Sequence, residues 1–282
     1  MLKRNAQHTM SNLVTRTIYG LIFAIIMIGS MIAGPKTLSI LMGIVSIIGT
    51  TEILRLHKKM KLKRVDRFFV SLISLSAYLL IALTALEITP LRSLVLLIAL
   101  LFFPFLHALF SRKHTFQEIA PLHWASFVFV ALPSSLTLFF YLPEYVGDYA
   151  GTYLLPSVIA GIWINDIFAY LVGVKFGKHR LFERVSPKKS WEGSIGGLIF
   201  TLVAAALVSI YTEKIDLTDA LALALIIVVS GSLGDLVESM LKRQANVKDS
   251  GKLIPGHGGI LDRFDAAFMA IPFVFIYLIM NT

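Results

Sequence analysis

The sequence predicts an all-α fold, a polytopic transmembrane helical bundle of about nine spans with a cytoplasmic N-terminus and an external C-terminus. Three observations carry that expectation. The first is composition: 56% of the 282 residues are hydrophobic and 15% are charged, whereas soluble domains carry about 25% charged residues. The mean hydropathy is +0.78, and a soluble chain of this length could not bury so much apolar surface. The second is length: crossing about 30 Å of hydrocarbon at about 1.5 Å per residue takes roughly 20 apolar residues. The segments 17–34, 38–54, 68–86, 91–110, 122–141, 155–174, 194–211, 217–239 and 264–280 meet that need, and none alternates as barrel strands do. The third is charge: with alternating spans, the external loops keep only Lys36, Arg92 and Lys214, so 23 of the 26 Lys and Arg residues face the cytoplasm.

The elements follow in order. The polar first 16 residues lack a small-residue cleavage site after a short apolar core, so no removable signal peptide is expected. The second segment ends near Glu52, which is expected to pair with Arg55. The run Arg55–Arg67 reads as a solvated, lipid-facing basic loop. His107, His114 and His123 are scattered near the fourth and fifth segments without ligand spacing, and no function is expected of them. Residues 1–150 therefore read as an anchoring region of five spans, and residues 151–282 as a catalytic region of four spans with cytoplasmic loops. In this second half charge enters the spans: Asn165 and Asp166 in the sixth, Asp235 and Glu238 at the cytoplasmic end of the eighth, Asp262 and Asp265 opening the ninth. Ionisable groups in a span are costly and usually face a cavity, and these all lie at similar depth. Asp216 and Asp219, at the outer end of the eighth segment, read as interfacial and structural.

The absence of cysteine excludes disulfides, thiolate nucleophiles and zinc–thiolate sites. Carboxylates without paired histidines fit Mg²⁺, and Asp166, Asp235, Asp249, Asp262 and Asp265 suffice for a second metal ion. The stretch VKFGKHRLFERVSPKKSWEGSIGG supplies cations: Ser186, Lys188, Lys189 and Ser190 stand just before a helix start at Trp191–Gly197, a favourable anion site. No GxxxxGK[ST] pattern occurs, which excludes a P-loop nucleotide site. The loop around Gly256–Gly259 can bring backbone amides up to a phosphate. The net charge of +9 follows from topology, and no nucleic-acid partner is expected. The oligomeric state, homo-oligomer included, is left open.

Between Ser239 and Asp265 the chain reads Ser239-x-x-Lys242-Arg243, Lys248-Asp249, Pro255-Gly256-His257-Gly258-Gly259 and Asp262-Arg263-x-Asp265. This resembles the signature of the phosphatidate cytidylyltransferases (CDP-diacylglycerol synthases). Upstream, Asp166-x-x-Ala169-Tyr170, Phe176-Gly177-Lys178 and Ser186-Pro187-Lys188-Lys189-Ser190-Trp191-Glu192-Gly193 resemble the family's second block, and Asn165-Asp166-Ile167-Phe168 departs slightly from it. The resemblance is sharp over residues 163–265 and general before residue 150. It implies a bacterial plasma-membrane enzyme that forms CDP-diacylglycerol and pyrophosphate from CTP and phosphatidic acid with Mg²⁺. Asp249 and Asp235 are expected to ligate the metal first, then Asp166 and Asp262, with Asp265 either a ligand or a partner of Arg263; Asp249, Lys248 and Asp262 are also expected in the catalytic set. Ser186, Lys188 and Lys189 are expected on the triphosphate, and Lys242, Arg243 and Lys248 on either substrate. Gly258 and Gly259 would approach a phosphate, and His257 and Arg263 complete the catalytic set. A CTP-using lipid kinase and an ion-coupled transporter are the rivals. The first would release CDP, and the second would place its acids near mid-membrane within a repeat.

Overall fold

The computed structural model describes residues 2–57, 62–111, 113–149, 151, 153–251, 253 and 258–281, with residues 2–16 described by backbone alone. The long helices are α1 (Leu2–Ile32), α2 (Pro35–Leu56), α3 (Arg64–Ala85), α4 (Leu91–Phe110), α5 (Phe116–Tyr141), α6 (Leu154–Phe176), α7 (Trp191–Thr212), α8 (Leu217–Gln244) and α9 (Leu261–Asn281). Among the described residues, α2–α9 are each long and apolar enough to cross a membrane, and Thr17–Ile32 of α1 is a shorter apolar stretch. Each matches one segment read from hydropathy, so the chain is a multi-pass helical membrane protein.

Local chemistry sets the helix ends. Gly34, at φ 105°, breaks the chain after α1, and Pro35 opens α2 with the fixed φ suited to a first turn. Asp66 accepts from the Lys63 amide (3.1 Å) at the start of α3, and Glu118 accepts from the Thr115 amide (2.9 Å) at the start of α5. Asp216 accepts from the Thr218 amide (2.9 Å) to cap α8. Within α5, Pro133 denies its ring nitrogen to the ladder, and the turn just before it, Phe127–Ala131, widens to a π-helix.

One departure from an all-helical chain is a small antiparallel hairpin, β1 (Arg180–Phe182) with β2 (Ser186–Ser190), in register Arg180↔Ser190 and Phe182↔Ser186. Pairing between two polar stretches closed by a short turn leaves no hydropathy signal. The Trp191 amide bonds the His179 carbonyl (3.0 Å), which feeds the hairpin into α7.

Glycines set the spacing of the catalytic-half helices. On α8, a β-carbon at Gly234 would stand 2.3 Å from the Asp265 carbonyl oxygen of α9. On α7, one at Gly197 would stand 2.4 Å from Asn165 Oδ1 of α6. Small residues let membrane helices approach backbone to backbone. Because Asp265 belongs to a buried helix backbone, Gly234→Ala is expected to cost about 1–3 kcal/mol, read as a lower thermal midpoint in detergent.

The apolar core runs through both halves: Met31, Leu38, Met42 and Ile53 pack in one cluster with Phe140, Leu155, Leu261, Ala270 and Val274. The scattered histidines also come together. His107 Nε2 lies 3.2 Å from Asp66 Oδ1, and its Nδ1 lies 2.9 Å from His123 Nε2. His114 Nδ1 sits 3.4 Å from Glu118. Asp66, His107 and His123 are buried and pin α3, α4 and α5 at one end. At the other end, Asp219 accepts from the Tyr149 and Tyr277 hydroxyls. Donating to that carboxylate pushes the Tyr149 pKa up to about 12, so the Tyr149 bond persists at neutral pH.

Candidate active site

The last turns of α8 and the first of α9 carry the acids. Asp235 and Glu238 are three residues apart and share a helix face. The Gly234 contact brings α9 alongside, so carboxylate oxygens of Asp235, Glu238 and Asp265 lie within 4.8 Å of one another. Glu238 is fully buried. Its Oε1 has no hydrogen-bond partner among the described residues, and its Oε2 pairs with the Lys242 ammonium. Lys242 Nζ also donates to Asp262 Oδ1 (2.7 Å). Asp262 Oδ2 accepts from the Ser250 amide (2.9 Å) and the Gly259 amide (2.8 Å) and lies 2.8 Å from the Ser250 hydroxyl, whose one proton it shares with Glu52. Asp235 pairs with Lys189 of β2 and accepts weakly from the Ser239 hydroxyl (3.3 Å). Among the described residues, Lys189 and Lys242 pair with three of the four carboxylates of α8 and α9.

Asp166 enters from α6. It feels the charges of Asp235, Lys189 and Arg263, and it lines a cavity of about 290 Å³ with Asp262, Arg263 and Asp265. The lining also includes apolar side chains, Phe23 and Ala24 of α1 with Ile162 and Trp163 of α6. A lining that mixes charged and hydrocarbon-like groups suits an amphiphile.

The hairpin stands over this end. Glu192, in the first turn of α7, accepts from the Lys178 amide (3.1 Å) and from His179 Nδ1 (2.6 Å). Arg243 Nε reaches the Val185 carbonyl at 3.5 Å, bringing α8 to the hairpin turn. Ser190 caps α7 by accepting from the Gly193 amide (3.2 Å). Lys188 is exposed, and Ser186 is half-buried.

The structure gathers Asp166, Asp235, Asp265 and Lys189. It places other expected residues differently. Asp249 and Lys248 are exposed, and Asp249 is not one of the three acids whose carboxylate oxygens converge. Lys242 is held between Glu238 and Asp262. The Gly259 amide bonds Asp262, and Gly258 adopts φ 85° with its α-carbon against the Asp262 carboxylate; these glycines let the loop close on protein acids. His257 lies outside the described residues. Glu238 belongs to the acidic group, and its signal was the three-residue spacing from Asp235. Glu52 does not take the partner expected of it: it accepts from the Ser250 hydroxyl (2.9 Å), the Ile260 amide (3.1 Å) and the Leu261 amide (2.9 Å). The start of α9 offers unpaired amides, which a carboxylate satisfies better than a neighbouring Arg55 would satisfy the acid.

The donor set fits a hard divalent cation. Three carboxylates converge, one oxygen is buried without a hydrogen-bond partner, and no soft ligand is present.

Fold and site together define a class: a polytopic membrane protein that collects carboxylates and lysines beside an amphiphilic cavity at one end of its bundle. The chain belongs to the cytidylyltransferase family, whose family model matches residues 14–280. It is 46% identical over 138 residues to a phosphatidate cytidylyltransferase of Haemophilus influenzae, covering 47% of this chain and 48% of that protein. It is 43% identical over 132 residues to one of Bacillus subtilis, covering 46% and 49%, and 42% identical over 142 residues to one of Staphylococcus saprophyticus, covering 50% and 54%. The chain thus spans about half the length of the curated relatives it matches.

Proposed function

We propose that this chain transfers the cytidylyl group of CTP to phosphatidic acid in a bacterial inner (plasma) membrane, on the cytoplasmic side. A phosphatidate oxygen attacks the α-phosphorus, the bond to the bridging oxygen breaks, and pyrophosphate leaves with the electron pair. The observation that carries the reading is the carboxylate group of Asp235, Glu238 and Asp265 beside a cavity lined by both charged and apolar side chains. The nucleophile is already anionic, so the site needs positioning and charge neutralisation more than a base.

Asp235, Glu238 and Asp265 would hold Mg²⁺, with Asp166 and Asp262 at the cavity wall within the same field. Such an ion supplies neutralisation of the triphosphate and the developing pyrophosphate. Lys189, with Lys188 and Ser186 on the same strand, binds the triphosphate. Arg263 lines the cavity and receives the lipid phosphate. Lys248, Asp249 and His257, on the connection from α8 to α9, and Arg243 at the hairpin receive the nucleotide from the cytosol. Lys242 and the loop glycines Gly258 and Gly259 keep Asp262 in place. The basic-residue distribution supports the cytoplasmic orientation.

The test uses purified protein in detergent with labelled CTP and phosphatidate. CDP-diacylglycerol and pyrophosphate are expected in equal amounts, and a chelator should abolish both until Mg²⁺ is restored. Release of CDP with a phosphorylated lipid would instead mark a kinase.

A further inference from the structure

We propose that Glu52, on α2 in the half of the chain that reads as an anchor, is a positioning residue of the active site. It ties Ser250, just after α8, to Ile260 and Leu261 at the start of α9 and so aims the first turns of α9, which carry Asp262 and Asp265. The proposal rests on the cytidylyltransferase reading.

Glu52 is 1% exposed. Burying a carboxylate is unfavourable unless hydrogen bonds replace water. Its three donors all belong to one distant segment: the Ser250 hydroxyl and the Ile260 and Leu261 amides. Two are the amides of Leu261, the first residue of α9, and of Ile260 just before it, where the helix dipole favours an anion. The segment is shaped around the acid: a β-carbon at Gly251 would stand 2.3 Å from Glu52 Oε1, and one at Gly259 would stand 2.4 Å from it. Contact then continues into the site. The Ser250 hydroxyl that lies 2.9 Å from Glu52 lies 2.8 Å from Asp262 Oδ2, and Asp262 Oδ1 is 2.7 Å from Lys242 Nζ, which pairs with Glu238. A displaced Glu52 therefore displaces the carboxylates around the substrate.

The test compares Glu52→Gln, Ser250→Ala and a core control, Leu278→Ala, in the full chain. Gln keeps the shape but turns an N–H₂ toward a backbone amide donor. Misplacement of reacting groups by about 1 Å costs about 10²-fold, so kcat in Glu52→Gln should fall by about that factor, with KM for CTP nearly unchanged and a higher Mg²⁺ requirement. Ser250→Ala, which removes one hydrogen bond, should lose about tenfold; it keeps the test open if Glu52→Gln does not fold. Because the chain has no cysteine, Leu253→Cys carries a single spin label, whose mobility should rise with Glu52→Gln. Wild-type kcat, an unchanged label, or activity lost only as Leu278→Ala loses it, in step with thermal midpoint, would overturn the proposal. An inactive wild-type chain would sink the cytidylyltransferase reading instead, and the label would still decide whether Glu52 holds the loop.

Discussion

Asp235→Asn is expected to lower CDP-diacylglycerol formation by about 10³-fold, at the upper end of what one electrostatic group contributes. The substitution preserves shape and the contact with the Ser239 hydroxyl. It removes the charge that pairs with Lys189 and one of three converging carboxylates. Both consequences point the same way, since the cation loses a ligand and the lysine loses the partner that aims it. The side chain is one-third exposed, so stability should change little. A fall in kcat with a steeper Mg²⁺ dependence and an unchanged thermal midpoint would fit this account. Retained activity would remove Asp235 from the metal site.

Lys242→Met should instead act first on stability. Its ammonium lies between Glu238, which has no exposed side-chain surface, and Asp262, which has 7%. Removing one partner of a buried pair typically costs about 3–5 kcal/mol, because the remaining charge stays unpaired. For a chain of this size that amounts to a drop in thermal midpoint of roughly 10 °C. Asp265 adds a further negative charge nearby. A cation that binds the folded state stabilises it by mass action, so the variant's midpoint should climb with added Mg²⁺ more steeply than the wild type's. Equal slopes would show that these acids do not hold the ion.

Much of the fold was legible in the sequence because each span carries its own signal. Residues 217–239 announce a helix by hydropathy alone, and α8 runs Leu217–Gln244. The acids of α6, α8 and α9 were legible for the same reason, since charge within hydrocarbon is conspicuous whatever its partner. Glu52 was not. Three residues from Arg55 it resembles half of a local pair, whereas its donors lie 198 to 209 residues along the chain. The His107–Asp66 contact spans 41 residues and leaves no periodic trace. Gly258 and Gly259 were noticed for their lack of bulk, and a β-carbon at either would meet Asp262 or Glu52, contacts that no local pattern announces. Lys248 and Asp249 stand out by motif and not by contact, because exposed side chains on a connection acquire partners only from what binds there.

The glycine seams at Gly197 and Gly234 also bear on how a lipid reaches the cavity. Helices locked backbone to backbone cannot splay without losing their whole contact at once, so α6 with α7 and α8 with α9 form closed doors. By contrast, α1 rests on α6 along a short stretch, and its Phe23 and Ala24 line the cavity. On the proposed function, the least costly entrance for a two-tailed lipid would therefore be sideways past α1, with tails remaining in the leaflet while the headgroup slides inward.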